Sequence, residues 1–324
     1  MEENRTVLSI EHLSIIFTQY DGGFEQTQLR TIKDLSLTVK EGEMVAVVGA
    51  SGSGKSLLAH AVMGILPYNA SMSGEILYME EELNQKRIEK FRGREIVLVP
   101  QSVSYLDPLM KVGSQIRKGK KDEASKRKSH SVLKRYGLKE DTENLYPFQL
   151  SGGMTRRILI STAVMEQPKL VIADEPTPGL HLEAAKRVLS HFREIADEGA
   201  GVLLITHDLE LALEVADRIV VFYAGTNVEE AFVSDFYQEE TLRHPYSRAL
   251  YRAMPDHGFH SVPGTQPFAG QVTSGCPYAA RCAYTEDACY RDIPYQEVRG
   301  GMVRCIRMDS DNGGLHDMGK GDGK

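Results

Sequence analysis

The stretch that decides the fold reads Val45-Ala46-Val47-Val48-Gly49-Ala50-Ser51-Gly52-Ser53-Gly54-Lys55-Ser56. Its first four residues are too few and too rich in β-branched side chains to begin a helix, so they predict a buried strand. The turn after them matches the phosphate-binding pattern G-x-x-x-x-G-K-[ST], and Leu57–Met63 predict a helix. Turn N–H groups and the helix dipole favour phosphate oxygens. We therefore expect a nucleotide site rather than a turn that binds nothing, with Lys55 on the β- and γ-phosphates and Ser56 on Mg²⁺.

The composition of the 324 residues is typical of a globular protein with a large core. No run of about 18 apolar residues is present, and the amino terminus lacks the order of a signal peptide, so we expect a cytoplasmic protein. A net charge of −7 gives no basic footprint for nucleic acid. The four cysteines all lie between Cys276 and Cys305. In a reducing compartment such a cluster indicates metal more than disulfides.

Three more apolar runs end in polar side chains, as expected at the ligand edge of a parallel α/β sheet. Gln101 follows the first run, and Asp174 and Glu175 follow the second. Adjacent acids after a buried strand suit a magnesium-linked aspartate and a general base, although two acids can also cap the next helix. His207 follows the third run. Alone, a histidine there is more often a capping or core residue.

Other segments differ in character. Residues 6–17 and 32–39 predict a small antiparallel sheet. Residues 104–148 are charged and helical, and seven lysines and arginines lie between Arg117 and Lys128. We interpret this run as a solvated helix face, with contact to lipid headgroups or an acidic partner as the alternative. Residues 149–154 contain two glycines before a predicted helix, which is again a place for phosphate.

Together these motifs resemble those of the ATP-binding subunit of an ABC transporter, over about residues 6–310. They occur in the family's order, with Gly49–Ser56 as the phosphate loop, Gln101 in the Q-loop, Leu150–Met154 as the signature, Asp174 and Glu175 as the second acidic motif, and His207 as the switch histidine.

The resemblance implies that two subunits close around two ATPs, each ATP lying between the phosphate loop of one subunit and the signature of the other. It implies catalytic roles for Lys55, Gln101, Glu175 and His207. Glu175 would polarise the attacking water and His207 would hold the γ-phosphate. The implied Mg²⁺ ligands, direct or through water, are Ser56, Gln101 and Asp174. The implied nucleotide-binding residues are Phe17, Gly49, Ser51, Gly52, Ser53, Gly54, Lys55, Ser56, Leu57, Gln101, Ser151, Gly152, Gly153 and Asp174. Phe17 matches the adenine-stacking aromatic, with Tyr20 as the alternative.

The tail resembles the carboxyl extension of oligopeptide, dipeptide and nickel importer ATPases. The resemblance rests on residues 242–250, on Pro263-Gly264 and on residues 275–282. It implies two membrane permeases, a second ATPase subunit and an extracytoplasmic binding protein that acts indirectly. It also implies a peripheral location on the cytoplasmic face of the membrane. We expect peptide import, with nickel or metal-chelate import as the alternative. A soluble ABC ATPase working on nucleic acid or ribosomes and a metal-sensing regulatory subunit are further alternatives.

The four cysteines, Cys276, Cys282, Cys289 and Cys305, follow the spacing C-x₅-C-x₆-C-x₁₅-C. This spacing matches no common zinc finger. Four clustered thiols can hold a zinc ion or a [4Fe–4S] cluster, and some members of the family carry such a cluster. We therefore expect iron–sulfur first and zinc second, with four free structural thiols as the remaining alternative.

One departure from the family pattern follows Glu175. The loop reads Pro178-Gly179-Leu180-His181, so His181 stands where the family usually has an aspartate that touches the opposing subunit. This puts the activity of one composite site in doubt and indicates a heterodimer whose partner carries the regular loop.

We therefore expect an α/β fold: a P-loop ABC ATPase core with an antiparallel β subdomain, an inserted helical subdomain and a cysteine-containing C-terminal extension. The expected domains are an ATP-binding domain over 1–240, with the helical subdomain at about 104–165, and the extension over 241–310. A flexible polar tail is expected over 311–324.

Overall fold

The computed structural model describes residues 4–21, 25–262, 264–271 and 274–307. Its strands are β1 Thr6–Asp21, β2 Glu25–Lys40, β3 Met44–Val48, β4 Ala70–Tyr78, β5 Glu81–Glu82, β6 Ile96–Val99, β7 Leu170–Asp174, β8 Gly201–Thr206, β9 Arg218–Tyr223, β10 Thr226–Phe232, β11 Gln296–Val298 and β12 Gly301–Val303. Its α-helices are α1 Lys55–Val62, α2 Gln85–Phe91, α3 Val112–Ile116, α4 Glu123–Arg135, α5 Gly152–Val164, α6 Leu182–Asp197, α7 Leu209–Leu213 and α8 Pro245–Ala253.

The larger sheet has the strand order β11-β12-β10-β9-β3-β8-β7-β6. The strands from β9 to β6 in this order are parallel, whereas β10, β12 and β11 pair antiparallel. Parallel pairing places the carboxyl ends of β3, β6, β7 and β8 at one edge. The strand predicted at Val45–Val48 is confirmed as β3, which begins one residue earlier, at Met44. It lies between β8 and β9 in the sheet.

The parallel strands are buried on both faces, which explains their continuous apolar runs. Along β3, Val45 and Val47 join a core with the smaller sheet, α1 and α2. Met44, Ala46 and Val48 point to the opposite face, where the core includes residues of α5 and α6. Because successive side chains of a strand alternate, one short strand anchors both halves of the core.

The smaller sheet is antiparallel, with the order β2-β1-β4-β5. Its main hairpin is longer than the predicted segments 6–17 and 32–39, since β1 and β2 remain paired as far as Asp21 and Glu25. The expected antiparallel subdomain is confirmed. Gly22 and Gly23, between these two strands, lie outside the described residues.

Between β6 and β7 the chain forms helices and 3₁₀ turns and contains no strand. This is the expected helical insertion. Its basic run is ion-paired at several positions: Arg117 with Glu143, Lys120 with Glu166, and Lys126 with Glu123. The pairs of Lys120 and Lys126, whose side chains are 54% and 42% exposed, fit the solvated-face interpretation, whereas the Arg117–Glu143 pair is mostly buried.

The cysteine-containing extension joins the larger sheet, because β12 pairs with β10 and β11 pairs with β12. Arg243, which is only 1% exposed, holds the β11–β12 hairpin in place. Its guanidinium lies 3.3 Å from Glu229 and 2.9 Å from Asp235 and donates to the carbonyl of Arg299 over 2.7 Å. The division at residue 240 stays a prediction, and the predicted tail 311–324 lies outside the described residues. In the described part of the chain, no helix is long and apolar enough to cross a bilayer.

Candidate functional site

Glycines shape the phosphate loop between β3 and α1. Gly52 and Gly54 have φ angles of +75° and +100°, in the left-handed region that favours glycine. A Cβ at Gly49 would overlap the carbonyl oxygen of Phe222 on β9, so the loop starts in close contact with the neighbouring strand. The Ser53 hydroxyl is buried and has no hydrogen-bond partner among the described residues. A buried donor without a partner fits a loop that receives phosphate oxygens.

Lys55, the first residue of α1, is 4% exposed. Its Nζ donates to the carbonyl oxygens of Gly49 and Ala50 over 2.8 and 2.9 Å and lies 3.7 Å from Oε1 of Glu175. Burial lowers the pKa of Lys55, and the Glu175 carboxylate opposes that shift. A buried ammonium is stabilised by nearby anions, so this position suits the phosphates of a nucleotide.

Ser56 and Asp174 lie together, as the magnesium assignment requires. The Ser56 hydroxyl donates to Oδ1 of Asp174 over 3.1 Å and so joins the start of α1 to the end of β7. Burial raises the pKa of Asp174, and the hydrogen bond from Ser56 opposes that effect. Hydroxyl and carboxylate oxygens are ligands that Mg²⁺ accepts, and bound metal would offset the burial of the carboxylate.

Glu175 lies directly after β7 and is 8% exposed. Its φ angle of +43° is unusual for a residue with a side chain, and its N–H donates to the carbonyl of Ile205 over 2.8 Å. Its Oε2 lies at hydrogen-bond distance, 2.8 Å, from Nδ1 of His207. The His207 ring is half exposed. The carboxylate is thus held between a buried ammonium and an imidazole that faces solvent.

Gln101 follows β6 at the same edge, but its side chain is exposed, and no hydrogen bond between it and the magnesium pair is seen in the described residues. Its backbone carbonyl accepts from the guanidinium of Arg156 on α5, which also reaches the carbonyl of Pro100 over 3.3 Å. Arg156 is 8% exposed. Sequence reasoning missed this residue, whose only signal is a charge within a mostly apolar helix. It fastens the Q-loop backbone to the signature helix.

The signature segment begins α5, where the Ser151 hydroxyl accepts from the N–H of Met154 over 3.4 Å. A Cβ on Gly152 or Gly153 would meet nothing within 4 Å, so the backbone here is open. The described contacts do not connect this segment with the phosphate loop of the same chain.

The two aromatic candidates differ in burial. Phe17 is partly buried and lies opposite Leu29 in the β1–β2 hairpin, whereas Tyr20 is 65% exposed. A Cβ on Gly54 would meet the carbonyl oxygen of Thr31 at 3.2 Å, so β2 borders the phosphate loop. Of the other assigned residues, Leu57 donates its N–H to Gly54 over 3.0 Å, and the Ser51 side chain is exposed.

His181 is the N-cap of α6, where its Nδ1 accepts from the N–H of Ala184 over 3.4 Å. His181 therefore caps α6 with a ring nitrogen, whereas an aspartate at this position would cap it with a negatively charged oxygen. The residue is exposed.

The structure brings the four cysteines into electrostatic range of one another. All four are free thiols. Burial raises the pKa of Cys276 to about 12 and that of Cys305 to about 11, and the other thiols add to both shifts. Burial also raises the pKa of Cys282. Three sulfurs receive a backbone N–H from two residues further on, namely from Tyr278, Tyr284 and Arg307.

Backbone N–H donors directed at sulfur stabilise thiolates, which is the form that binds metal. Within the residues that the structure describes, however, no group of three or more histidine, cysteine or acidic side chains is placed to hold a metal ion. The expected iron–sulfur and zinc assignments are therefore not supported directly by the structure.

Profiles of two families match the chain. The ABC transporter family matches residues 32–178, and the family described as "Oligopeptide/dipeptide transporter, C-terminal region" matches residues 228–289. Among solved structures, the chain is similar to the dimeric bacterial ABC transporter cassette MJ0796. The identity is 25% and the TM-score 0.61, covering 70% of this chain and 98% of that one. It is also similar to cbiO1 from Clostridium perfringens, at 26% identity and a TM-score of 0.61, covering 76% and 99% of the two chains.

Curated relatives match over nearly the full length. The dipeptide transport ATP-binding protein DppD of Bacillus subtilis is 35% identical, covering 94% of this chain and 95% of the relative. The oligopeptide transport ATP-binding protein OppD of Lactococcus lactis is also 35% identical, covering 94% and 91%. With the site geometry, these matches show that the chain belongs to the family of oligopeptide and dipeptide ABC transporter ATPase subunits.

Proposed function

We propose that this chain hydrolyses ATP to drive the import of peptides through a binding-protein-dependent ABC transporter. The observation that carries the proposal is the convergence of Lys55, Ser56, Asp174, Glu175 and His207 at the carboxyl edge of the parallel sheet. The solute class is inferred from relatives whose names specify dipeptide or oligopeptide transport.

ATP fits the first part of this arrangement. The buried Lys55 ammonium would supply positive charge to the phosphates, and backbone N–H groups of such a loop would add hydrogen bonds. Ser56 and Asp174, joined by one hydrogen bond, would hold Mg²⁺, and Gln101, after the adjacent strand β6, is the proposed third ligand. The metal would neutralise charge that develops on the phosphates. Lys55 and the loop would hold the β- and γ-phosphates in place.

In this proposal, Glu175 takes a proton from the attacking water. It is buried, so its carboxylate has little competing solvent. His207 contacts it at 2.8 Å and remains accessible, so the imidazole can meet both Glu175 and a γ-phosphate. A water held between this carboxylate and the γ-phosphorus would complete an in-line displacement.

We expect Glu175→Gln to retain ATP binding and to lower the rate of hydrolysis by roughly a hundredfold or more. The amide preserves the size of the side chain but cannot accept the proton of water. Nucleotide binding is measured on the purified chain, and hydrolysis on the assembled transporter. The matched control is Glu75→Gln on the exposed face of β4, which should hydrolyse ATP normally. Wild-type turnover in Glu175→Gln would remove Glu175 from this role.

A second ATPase subunit completes the site. Ser151, Gly152 and Gly153 lie open at the start of α5, as expected if they contact ATP held by another subunit. The loop at His181 favours a heterodimer, because an exposed imidazole stands where an aspartate would place a negative charge at the interface.

Restoring the acid with His181→Asp should raise the ATPase rate of the assembled pair. Aspartate is a stronger N-cap than histidine, so α6 stays intact in this variant. A change in the ATPase rate would therefore come from the contact across the dimer interface. The measurement is steady-state hydrolysis by the heterodimer. His181→Asn serves as the control, since it caps the helix without charge and should leave the rate near that of the wild type. An unchanged rate in His181→Asp would make the substitution neutral and remove this argument for asymmetry.

Two membrane permeases are the proposed partners of the helical insertion. Tyr105, Leu109, Met110 and Phe148 are between 41% and 86% exposed on the segment between β6 and β7. Exposed apolar side chains of this size indicate a protein contact. The subunit would then lie at the cytoplasmic face of the membrane, linked to the extracytoplasmic binding protein only through the permeases. The net charge of −7 gives no reason to propose nucleic acid as a partner.

The four cysteines are proposed to hold a [4Fe–4S] cluster, which when bound can exchange one electron. Support comes from four free thiols in mutual electrostatic range, three of which accept a backbone N–H. Zinc is the alternative occupant, and the described residues contain no group of three or more ligands placed to hold a single ion.

Protein purified without oxygen should contain iron and acid-labile sulfide and show a broad visible absorption that bleaches with dithionite. Cys289→Ser should lose most of both elements, because the buried serine cannot replace the thiolate. The matched control is Ser274→Ala, an exposed change near Cys276 that should keep the wild-type content. Bound zinc without sulfide, or wild-type protein free of metal, would refute the cluster while leaving the ATPase proposal standing.

A further inference from the structure

We propose that the C-terminal extension contains a second anion site, which binds a small organic phosphate in the cavity between α8, the loop that follows it and residues 278–284. The cavity has a volume of about 580 Å³. Three arginines line it, namely Arg248, Arg252 and Arg281. The site shares no residue with the ATP site and depends on no group held by the cysteines.

The local fold explains why these arginines meet at one cavity. Arg248 and Arg252 are one turn apart on α8, so their side chains leave the same face of the helix. The chain turns back after α8, because the N–H of His260 donates to the carbonyl of Arg252 over 2.9 Å. Arg281 then joins the returning loop by donating to the carbonyl of Val262 over 2.9 Å. The arginine face of α8 and Arg281 therefore border one enclosed space.

Two of the arginines make these hydrogen bonds to uncharged oxygen atoms. Arg248 donates to the carbonyls of Leu242 and Glu240 over 2.9 and 3.4 Å. Arg281 donates to the hydroxyl of Tyr223 over 2.9 Å, as well as to the returning loop. Such contacts fix the direction of a guanidinium but do not cancel its charge. Both positive charges thus remain available to a ligand.

Arg252 is paired with the acid of the cavity. Its Nε donates to Oε2 of Glu239 over 2.8 Å, and its Nη2 lies 2.5 Å from Oε1. Glu239 is the one acid among the described residues that line the cavity, so three guanidiniums stand against one carboxylate. The chain as a whole carries a net charge of −7, which makes a local excess of positive charge unusual for this surface. Gathering like charges in one cavity is unfavourable unless an anion binds there.

The shape and chemistry of the cavity favour a phosphate that carries an organic group. Guanidiniums that approach from two segments of the chain suit a tetrahedral dianion, which accepts hydrogen bonds in several directions. An inorganic phosphate would leave most of the volume empty, and cavities of this size usually take organic ligands. The rings of Tyr278 and Tyr284 line the remaining wall. The expected ligand is therefore a phosphate joined to a flat or apolar group.

Phenyl phosphate is the probe that matches this chemistry. Its binding to the full chain is measured by isothermal titration calorimetry, with the ATP site saturated by Mg²⁺ and a non-hydrolysable ATP analogue. We expect phenyl phosphate to bind, whereas phenol and benzoate should bind at least tenfold more weakly, because they lack the phosphate dianion.

Variants of the cavity should change this affinity in opposite directions. Arg248→Gln should weaken the binding of phenyl phosphate about tenfold or more, because it removes a charged donor. Glu239→Gln should tighten binding roughly threefold, because it removes the opposing charge and releases Arg252. A misfolded cavity would not bind more tightly, so this second variant keeps the test valid if Arg248→Gln fails to fold. The matched control is Arg291→Gln, an exposed change in the same extension that does not line the cavity and should bind as the wild type does.

Several results would overturn the proposal. They are no binding of phenyl phosphate by the wild type, equal binding of benzoate or phenol, and unchanged or weaker binding in Glu239→Gln. Equal weakening in Arg248→Gln and Arg291→Gln would indicate a response to net charge alone, which also overturns the site. Because the ATP analogue occupies the catalytic site throughout, each of these results leaves the ATPase proposal standing.

Discussion

The site depends on the interactions that stabilise the buried ammonium of Lys55. Removing a positive charge from water is costly unless anions or carbonyl oxygens surround it. Here two loop carbonyls and the Glu175 carboxylate do so. The loop can curl around the lysine only because Gly52 and Gly54 adopt positive φ angles. A nucleoside triphosphate would contact the same positive charge. The need to surround this buried ammonium with oxygen atoms therefore shapes both the folded loop and the binding of the ligand.

The position of β3 explains how distant parts of the chain reach this charge. It pairs with β8 on one side and β9 on the other, which brings His207, just after β8, and the end of β9 to the edge that holds the phosphate loop. At the end of β9, the ring of Tyr223 packs with those of Tyr246 and Tyr278, with centroids 4.3 to 5.5 Å apart. These rings fill the space between the sheet and the cysteine loops. The extension therefore packs directly against the catalytic core.

Much of this could be predicted from sequence, for physical reasons that differ by residue. Val45–Val48 and the other apolar runs predicted the parallel strands because strands buried on both faces need continuous apolar side chains. The G-x-x-x-x-G-K-[ST] spacing predicted Lys55 and Ser56 because few other sequences allow that loop. Arg156 could not be predicted, since its partners are backbone carbonyls 55 and 56 positions away. The pairing of β12 with β10 could not be predicted either, because a three-residue strand such as β12 carries almost no periodic signal.

The central claim is that ATP hydrolysis at this site drives peptide import, and uptake in cells tests it most directly. A strain lacking this subunit is restored with the wild-type chain or with Glu175→Gln, and the uptake of a labelled dipeptide and of radiolabelled nickel is compared. We expect only the wild-type chain to restore dipeptide uptake, with nickel uptake unaffected by either. Dipeptide uptake that does not depend on Glu175, or nickel uptake alone restored by the wild type, would contradict the account.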